Sequence, residues 1–186
     1  MADHVCPVWV GHLLASPVRK LFENPRKILG PHVREGMTAL DIGCAMGFFS
    51  LPLAEMVGPQ GKVICIDMQD QMIKSLEKRA LKAGLSERME TRVCGQDSLG
   101  IDDMSGKVDF ALASAVLHEV PDLPGLLRQV CDALKPAGKF LVAEPKGHVS
   151  ARDFEATVSL AEENGFRVVK ASRSFSGRGV LLQKPG

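Results

Sequence analysis

The residues with the most chemistry to offer begin with one short run, Asp41-Ile42-Gly43-Cys44-Ala45-Met46-Gly47. An apolar, strand-like stretch precedes it and a helical pattern follows it. Glycine suits such a loop because the chain turns sharply there and a ligand can approach its backbone closely. The N-terminus of a following helix adds unpaired N–H groups that favour a negative group such as a carboxylate. About 20 residues on, Asp67 ends a second apolar run, where it is placed to accept both hydroxyls of a ribose. Asp97 occupies the loop after a third. Each acid also has a plainer reading. Asp41 orients the glycine loop by bonding its backbone, the role favoured for it. Asp67 caps the helix that starts near Gln69, and Asp97 is a turn residue. Acids at successive strand tips favour a nucleoside site at the carboxyl edge of a sheet.

A second group follows later in the chain, in Ser114-Ala115-Val116-Leu117-His118-Glu119 and in Glu144-Pro145-Lys146-Gly147-His148. His118 suits a base, a substrate orienter or a partner stacked on a bound ligand; it equally suits a cap on local backbone in a tight turn. Glu144 suits either a contact to a substrate amine or hydroxyl, or a solvated pair with Lys146. His148 stands just before a helix start, where exposure alone accounts for it. Convergence of His118, Glu144 and His148 on a metal has no support in their spacing, and no metal site is expected.

The elements that must position these groups alternate regularly. Strand-like runs are Thr38–Ile42, Lys62–Ile66, Glu90–Cys94, Val108–Ala113, Lys139–Ala143, Phe166–Lys170 and Gly179–Gln183. Several are continuously apolar, as strands buried on both faces are. One helix is expected from Gly47 to Gly58-Pro59, with Pro52 near its first turn. Another presents Met72, Ile73, Leu76 and Ala80 on one face and ends at Gly84. A third starts at Asp122, presents Leu123, Leu127, Val130 and Leu134, and stops before Pro136. A fourth starts at Ser150, with Asp153 three residues on, and ends at Gly165. Alternation of this kind means parallel strands with right-handed crossovers, a single doubly wound α/β sheet of seven strands. The last two runs have only a loop with Ser174, Gly177 and Arg178 between them, so they form an antiparallel hairpin.

The glycine run is a poor match to the Gly-x-Gly-x-x-Gly of dinucleotide folds. It resembles the Asp-x-Gly-x-Gly-x-Gly motif of class I S-adenosylmethionine-dependent methyltransferases, with Ala45 in place of the middle glycine. Val63-Ile64-Cys65-Ile66-Asp67 is similar to that family's second strand and ribose-binding acid. Gly95-Gln96-Asp97-Ser98 is similar to its loop after the third strand, where an Asp meets the adenine amino group. Val108–Ala113 resembles its fourth strand, and Leu134-Lys135-Pro136-Ala137-Gly138-Lys139 the turn before its fifth. Together these cover roughly residues 37 to 145 of a regular strand–helix ladder. The resemblance implies a Rossmann-like methyltransferase fold with an antiparallel last strand. It also implies S-adenosylmethionine as cofactor and S-adenosylhomocysteine as product. Candidate cofactor contacts are Asp41, Gly43, Cys44, Gly47, Asp67, Met68, Asp97, Ser98 and Ser114; candidate catalytic residues are His118 and Glu144. No Asn/Asp-Pro-Pro-Tyr follows the fourth strand, and the general pattern is similar to quinone-biosynthesis methyltransferases. A small-molecule acceptor is therefore expected.

Composition narrows the alternatives. A net charge of +1 gives no electrostatic footprint for nucleic acid. Five widely spaced cysteines with no Cys-x-x-Cys fit a reduced cytoplasmic protein. The stretch from Val8 to Ala15 is interrupted by Gly11 and His12 and is neither a signal peptide nor a membrane span. Residues 1–36, with Trp9, Leu13 and Leu14, are expected to form a helical extension, either a lid over a hydrophobic substrate or a helix on the sheet edge. Residues 37–186 form the domain proper, expected as a monomer or homodimer. Two rival readings share the glycine loop and Asp67: a nicotinamide-dependent oxidoreductase and a non-catalytic S-adenosylmethionine-binding protein.

Overall fold

The computed structural model describes residues 23–172 and 177–186. The elements, in chain order, are α1 (Pro25–Leu29), β1 (Thr38–Ile42), α2 (Ser50–Met56), β2 (Lys62–Asp67), α3 (Asp70–Ala83), β3 (Met89–Val93), β4 (Val108–Ser114), α4 (Leu123–Ala133), β5 (Leu134–Pro145), α5 (Ala151–Glu163), β6 (Arg167–Ser172) and β7 (Gly177–Gln183). All seven strands join one sheet in the order β3-β2-β1-β4-β5-β7-β6. The pairings from β3 through β5 are parallel, and β7 runs antiparallel to both β5 and β6. The expected hairpin is present, and its second strand inserts between β5 and β6.

Successive residues of a strand point to opposite faces, and the core divides accordingly. Leu40, Ile42, Ile64, Ile66, Ala111, Ala113, Phe140 and Val142 pack on one face against Leu127 and Val130 of α4 and Phe154 and Ala161 of α5. Ala39, Val63, Cys65, Phe110, Leu112 and Leu141 pack on the other against Leu29 of α1, Leu53 and Ala54 of α2, and Ile73 and Leu76 of α3. This is why the central strands β1, β2 and β4 read as apolar runs: neither of their faces is left to water.

The helices begin and end where side chains and glycines permit. Asp122 accepts from the Gly125 N–H at 3.0 Å and caps α4. Ser150 accepts from the Asp153 N–H at 3.1 Å and caps α5. α3 ends at Gly84, and its buried residues are Met72, Ile73, Leu76 and Ala80.

Two expected boundaries differ. The helix after the glycine run starts at Ser50, not Gly47, because Gly47 adopts φ +84°, outside the helical region. Pro52 then falls in the first turn of α2, where its missing N–H would have no helical partner anyway. Leu134 opens β5 and does not close α4. Pro136 disfavours helical geometry at Lys135, so the chain turns extended one residue earlier. Of the expected N-terminal extension, residues 1–22 lie outside the described residues, as does Ser174; α1 occupies part of the remainder. Among the described residues, no helix is long and apolar enough to cross a membrane.

The cap on α4 is testable. Replacing Asp122 by Ala leaves the Gly125 N–H without its partner and is expected to cost about 1 kcal/mol of stability, read as a lower urea midpoint with unchanged slope.

Candidate active site at the sheet's switch point

Strand order reverses direction between β1 and β4, so their carboxyl ends open a crevice where the connections diverge to opposite faces. The loop after β1 forms one wall. Gly43 and Gly47 both take left-handed conformations, φ +67° and +84°, and Ala45 between them has φ +45°. Gly43 has a second constraint: a Cβ there would lie 2.6 Å from Cγ2 of Val116, in the loop after β4. The two walls therefore meet through a glycine that only hydrogen fits.

Asp67 holds this loop. Its Oδ2 accepts from the Ala45 N–H and its Oδ1 from the Gln69 N–H, each at 2.9 Å. It is thus the expected cap for the chain entering α3, and it also ties down the glycine loop. Each carboxylate oxygen offers two acceptor positions. These two bonds and the Met68 N–H, which also bears on the carboxylate, occupy most of those positions but leave acceptor capacity for a ligand hydroxyl. Burial raises the Asp67 pKa, while the Gln69, Ala45 and Met68 N–H groups pull it back.

Asp41 plays a different part from the one expected. It bonds no loop backbone; its Oδ2 accepts from the Ser50 hydroxyl at 2.5 Å, which fastens the start of α2 to the end of β1. Alternation along β1 turns Asp41 towards the α2 side, where Ser50 is also fully buried. Burial pushes its pKa up to about 7; the Ser50 hydrogen bond opposes the rise and the Asp67 charge adds to it.

The other candidate contacts take up varied positions. Cys44 is buried, and its backbone N–H donates to the Ile66 carbonyl at 2.9 Å. Met68, 41% exposed, follows Asp67 at the rim. Asp97 is exposed in the loop after β3. The Ser98 hydroxyl accepts from the Gly100 N–H at 3.1 Å and lies 3.3 Å from the Gln129 side-chain oxygen. Ser114 ends β4, half-buried, paired in register with Ala143.

Beyond β4 and β5 the structure brings together residues that spacing alone leaves apart. Glu144 is 3% exposed and makes no pair with Lys146. Its Oε2 lies 2.7 Å from Nδ1 of His118, and its Oε1 accepts from the Leu117 N–H at 2.8 Å. Burial raises the Glu144 pKa, and His118 lowers it. The His118 ring packs edge-on against the exposed His148, with centroids 5.8 Å apart. Glu119, absent from the sequence-based candidates, approaches His118 Nε2 at 3.9 Å through Oε1. Burial raises its pKa, His118 opposes the rise, and the charges of Glu144 and Asp67 add to it. Its one sequence signal is an acid beside a strand-tip histidine. Among the described residues, no three of His, Cys, Asp and Glu are grouped to hold a metal ion.

Comparison with known proteins places this geometry. The sequence profile described as "Methyltransferase domain" matches residues 33–174, more than half of the chain. The chain belongs to the methyltransferase domain family. It is 31% identical over 121 residues to the nocamycin O-methyltransferase of Saccharothrix syringae, covering 65% of this chain and 42% of that protein. It is 32% identical over 108 residues to the human mitochondrial ubiquinone biosynthesis O-methyltransferase, covering 58% of this chain and 28% of that one. The chain thus spans less than half the length of these two relatives. The crystal structure of an S-adenosylmethionine-dependent methyltransferase from Aquifex aeolicus superposes with a TM-score of 0.86 at 25% identity, covering 96% of this chain and 99% of that one. The Rossmann-like methyltransferase fold expected from the sequence is the fold of this domain.

The buried position of Asp41 carries a measurable consequence. An acid whose folded pKa stands above its ordinary 3.8 binds its proton more tightly when folded. Folding is therefore most favoured at low pH, and that contribution is lost as pH rises from about 4 to about 7. Relative to Asp41→Asn, which cannot titrate, the wild type is expected to lose up to about 4 kcal/mol across that window. Urea denaturation of both proteins at several pH values checks this; parallel profiles would contradict it.

Proposed function

We propose that this domain is an S-adenosylmethionine-dependent methyltransferase acting on a small molecule. One observation carries the reading furthest. Asp67 closes the glycine loop through Ala45 at the switch-point crevice and, with backbone N–H groups as its only partners among the described residues, still keeps acceptor capacity for a ligand hydroxyl. That donor and acceptor set fits a ribose beside a backbone loop, and membership of the methyltransferase family identifies which nucleoside to expect. The Aquifex protein, matched almost end to end, is described as dependent on the same cofactor. The nocamycin and ubiquinone enzymes both bear names of small-molecule O-methyltransferases, which supports an acceptor of that kind. Balanced charge supports it over nucleic acid.

When bound, S-adenosylmethionine supplies a methyl group on a sulfonium that leaves as a neutral thioether. The chain's own task is to hold and align the reactants, and to keep water away. Asp67 receives the ribose hydroxyls. The loop from Gly43 to Gly47, with Cys44 and Met68, flanks the amino acid portion and the ribose. Asp97 and Ser98 border the adenine, and Ser114 with the His118–Glu144 pair borders the acceptor. Asp41 acts through Ser50, setting where the glycine loop ends. A nicotinamide-dependent reaction lacks comparable support, since the relatives named above are methyltransferases and the loop departs from the dinucleotide pattern.

Calorimetric titration with S-adenosylmethionine, S-adenosylhomocysteine and NADH tests the assignment. Micromolar binding of both adenosyl ligands and none of NADH is expected. Asp67→Asn, which cannot offer the same paired charge, is expected to weaken adenosyl binding by about 10- to 100-fold, as the loss of a charged hydrogen bond implies. NADH binding with neither adenosyl ligand would overturn the proposal.

A further inference from the structure

We propose that the edge of the sheet opposite the crevice carries a second binding site, which takes a phosphate group, free or at the end of a small molecule, between His32, Lys135 and Lys139. The site uses none of the residues of the methyltransferase reading and does not depend on it.

The loop after α1 and the opening residues of β5 border a cavity of about 180 Å³ at the amino ends of β1, β4 and β5. His32, Met37, Asp109, Lys135 and Lys139 line it. That volume lies below the range of drug-sized ligands and suits a smaller one. The half-buried His32 ring lies over the buried Phe110, with centroids 6.0 Å apart and planes 7° from parallel. Stacking sets the plane of the imidazole, and neither of its nitrogens has a hydrogen-bond partner among the described residues.

Charge around the cavity is one-sided. Register sets Lys139 of β5, Gln183 of β7 and Arg167 of β6 in one row, and Leu141, Leu181 and Lys170 in the next. Leu141 and Leu181 pack in the same cluster as Phe110 and Leu29 of α1, so all three cations stand on the face that His32 covers. Lys139 and Lys170 have no acid partner among the described residues. Arg34 engages only Nη1, on the Gly30 and Val33 carbonyls at 2.7 and 2.9 Å. The acids are occupied elsewhere. Asp109 accepts from Lys135 Nζ at 2.6 Å and from the Thr38 N–H at 2.8 Å. The Glu35 carboxyl lies against Gly58, after α2, and on α1 Arg26 pairs with Glu55. Lys184 turns its Nζ to the Leu134 carbonyl at 2.9 Å. Burial, and then the charges of Lys139, Arg34 and Lys170, hold the His32 pKa below its ordinary value. Like charges that converge with nothing to offset them are relieved by an anion. A phosphate group suits the place, because it carries up to two charges and three acceptor oxygens and can meet Lys139, Lys135 and a protonated His32 together. Binding is then linked to proton uptake. The bound anion favours the imidazolium, so the complex holds that proton more tightly than the free protein does, and affinity rises as pH falls.

Titration of the full chain tests this, with ¹H–¹⁵N spectra of the His32 ring as the readout. Inorganic phosphate, glycerol 3-phosphate, sulfate and citrate are each added against sodium chloride of equal ionic strength. Saturable shifts of the His32 signals are expected with both phosphates and none with sodium chloride. Tighter binding of glycerol 3-phosphate identifies an ester as the ligand, and tighter binding of inorganic phosphate identifies the free ion. Shifts that sodium chloride reproduces, no saturation, or citrate bound more tightly than either phosphate would each overturn the proposal. Sulfate, whose own charge is constant over the range, should bind about 5-fold more tightly at about pH 6 than at about pH 8, across which His32 gains its proton. A flat or opposite dependence contradicts the assigned part of His32. Lys139→Gln removes a half-buried, unpaired cation and should weaken phosphate binding by about 5-fold, as the loss of one partly exposed ion pair implies. Unchanged phosphate affinity in that variant would also count against the site. Calorimetric binding of S-adenosylmethionine by Lys139→Gln should match the wild type, which separates this site from the crevice at the other edge.

Discussion

The hydrogen bonds from Ala45 and Gln69 to the Asp67 carboxylate are what the crevice depends on. They join the loop after β1 to the start of α3 through a side chain at the end of β2. The loop is not relaxed by itself. Ala45 sits at φ +45°, where a non-glycine residue costs about 1–2 kcal/mol. A hydrogen bond to a charged acceptor contributes about 1.5–3 kcal/mol, enough to offset that strain. The same bond explains how alanine is accommodated where the related motif has glycine: the conformation is enforced from outside.

The sheet makes this possible by bringing five strand tips to one edge. β3, β2, β1, β4 and β5 run parallel, so their carboxyl ends all open on the same side. With α1, α2 and α3 on one face and α4 and α5 on the other, the crevice between β1 and β4 is the place where connections leave in opposite directions. Gly43 and Val116 bring the two loops into contact there, at a distance no side chain on residue 43 would tolerate. The antiparallel pair of β6 and β7 extends the sheet beyond β5. It backs β5, and β7 lies in register against Glu144.

Acids dominate the edge, and neutral donors hold them. Asp41 is met by a hydroxyl, Asp67 by backbone N–H groups, and Glu144 by a backbone N–H and an imidazole. None of these partners carries a permanent charge, so burial prevails and all three pKa values are raised. A site of this kind is hospitable to positive charge and to neutral hydroxyls, and inhospitable to anions.

Much of this was written in local sequence. The central strands are apolar because both faces of the sheet are covered there, so their runs could be located to within a few residues. Asp122, Ser150 and Gly84 mark helix ends because capping chemistry is local. The run Asp41 to Gly47, with Asp67 and Asp97 at later strand tips, marked the edge where the carboxyl ends of the parallel strands open. Sequence alone could not say that Asp41 would bond Ser50, since that depends on where α2 begins, and the left-handed turn at Gly47 delays it by three residues. Nor could it show that Glu144 would abandon its neighbour Lys146 for His118, 26 positions away. Strand propensity and capping are decided by neighbours along the chain. The partner of a buried acid is decided by which strand tips the parallel register sets side by side, and that information exists only once β4 and β5 have paired.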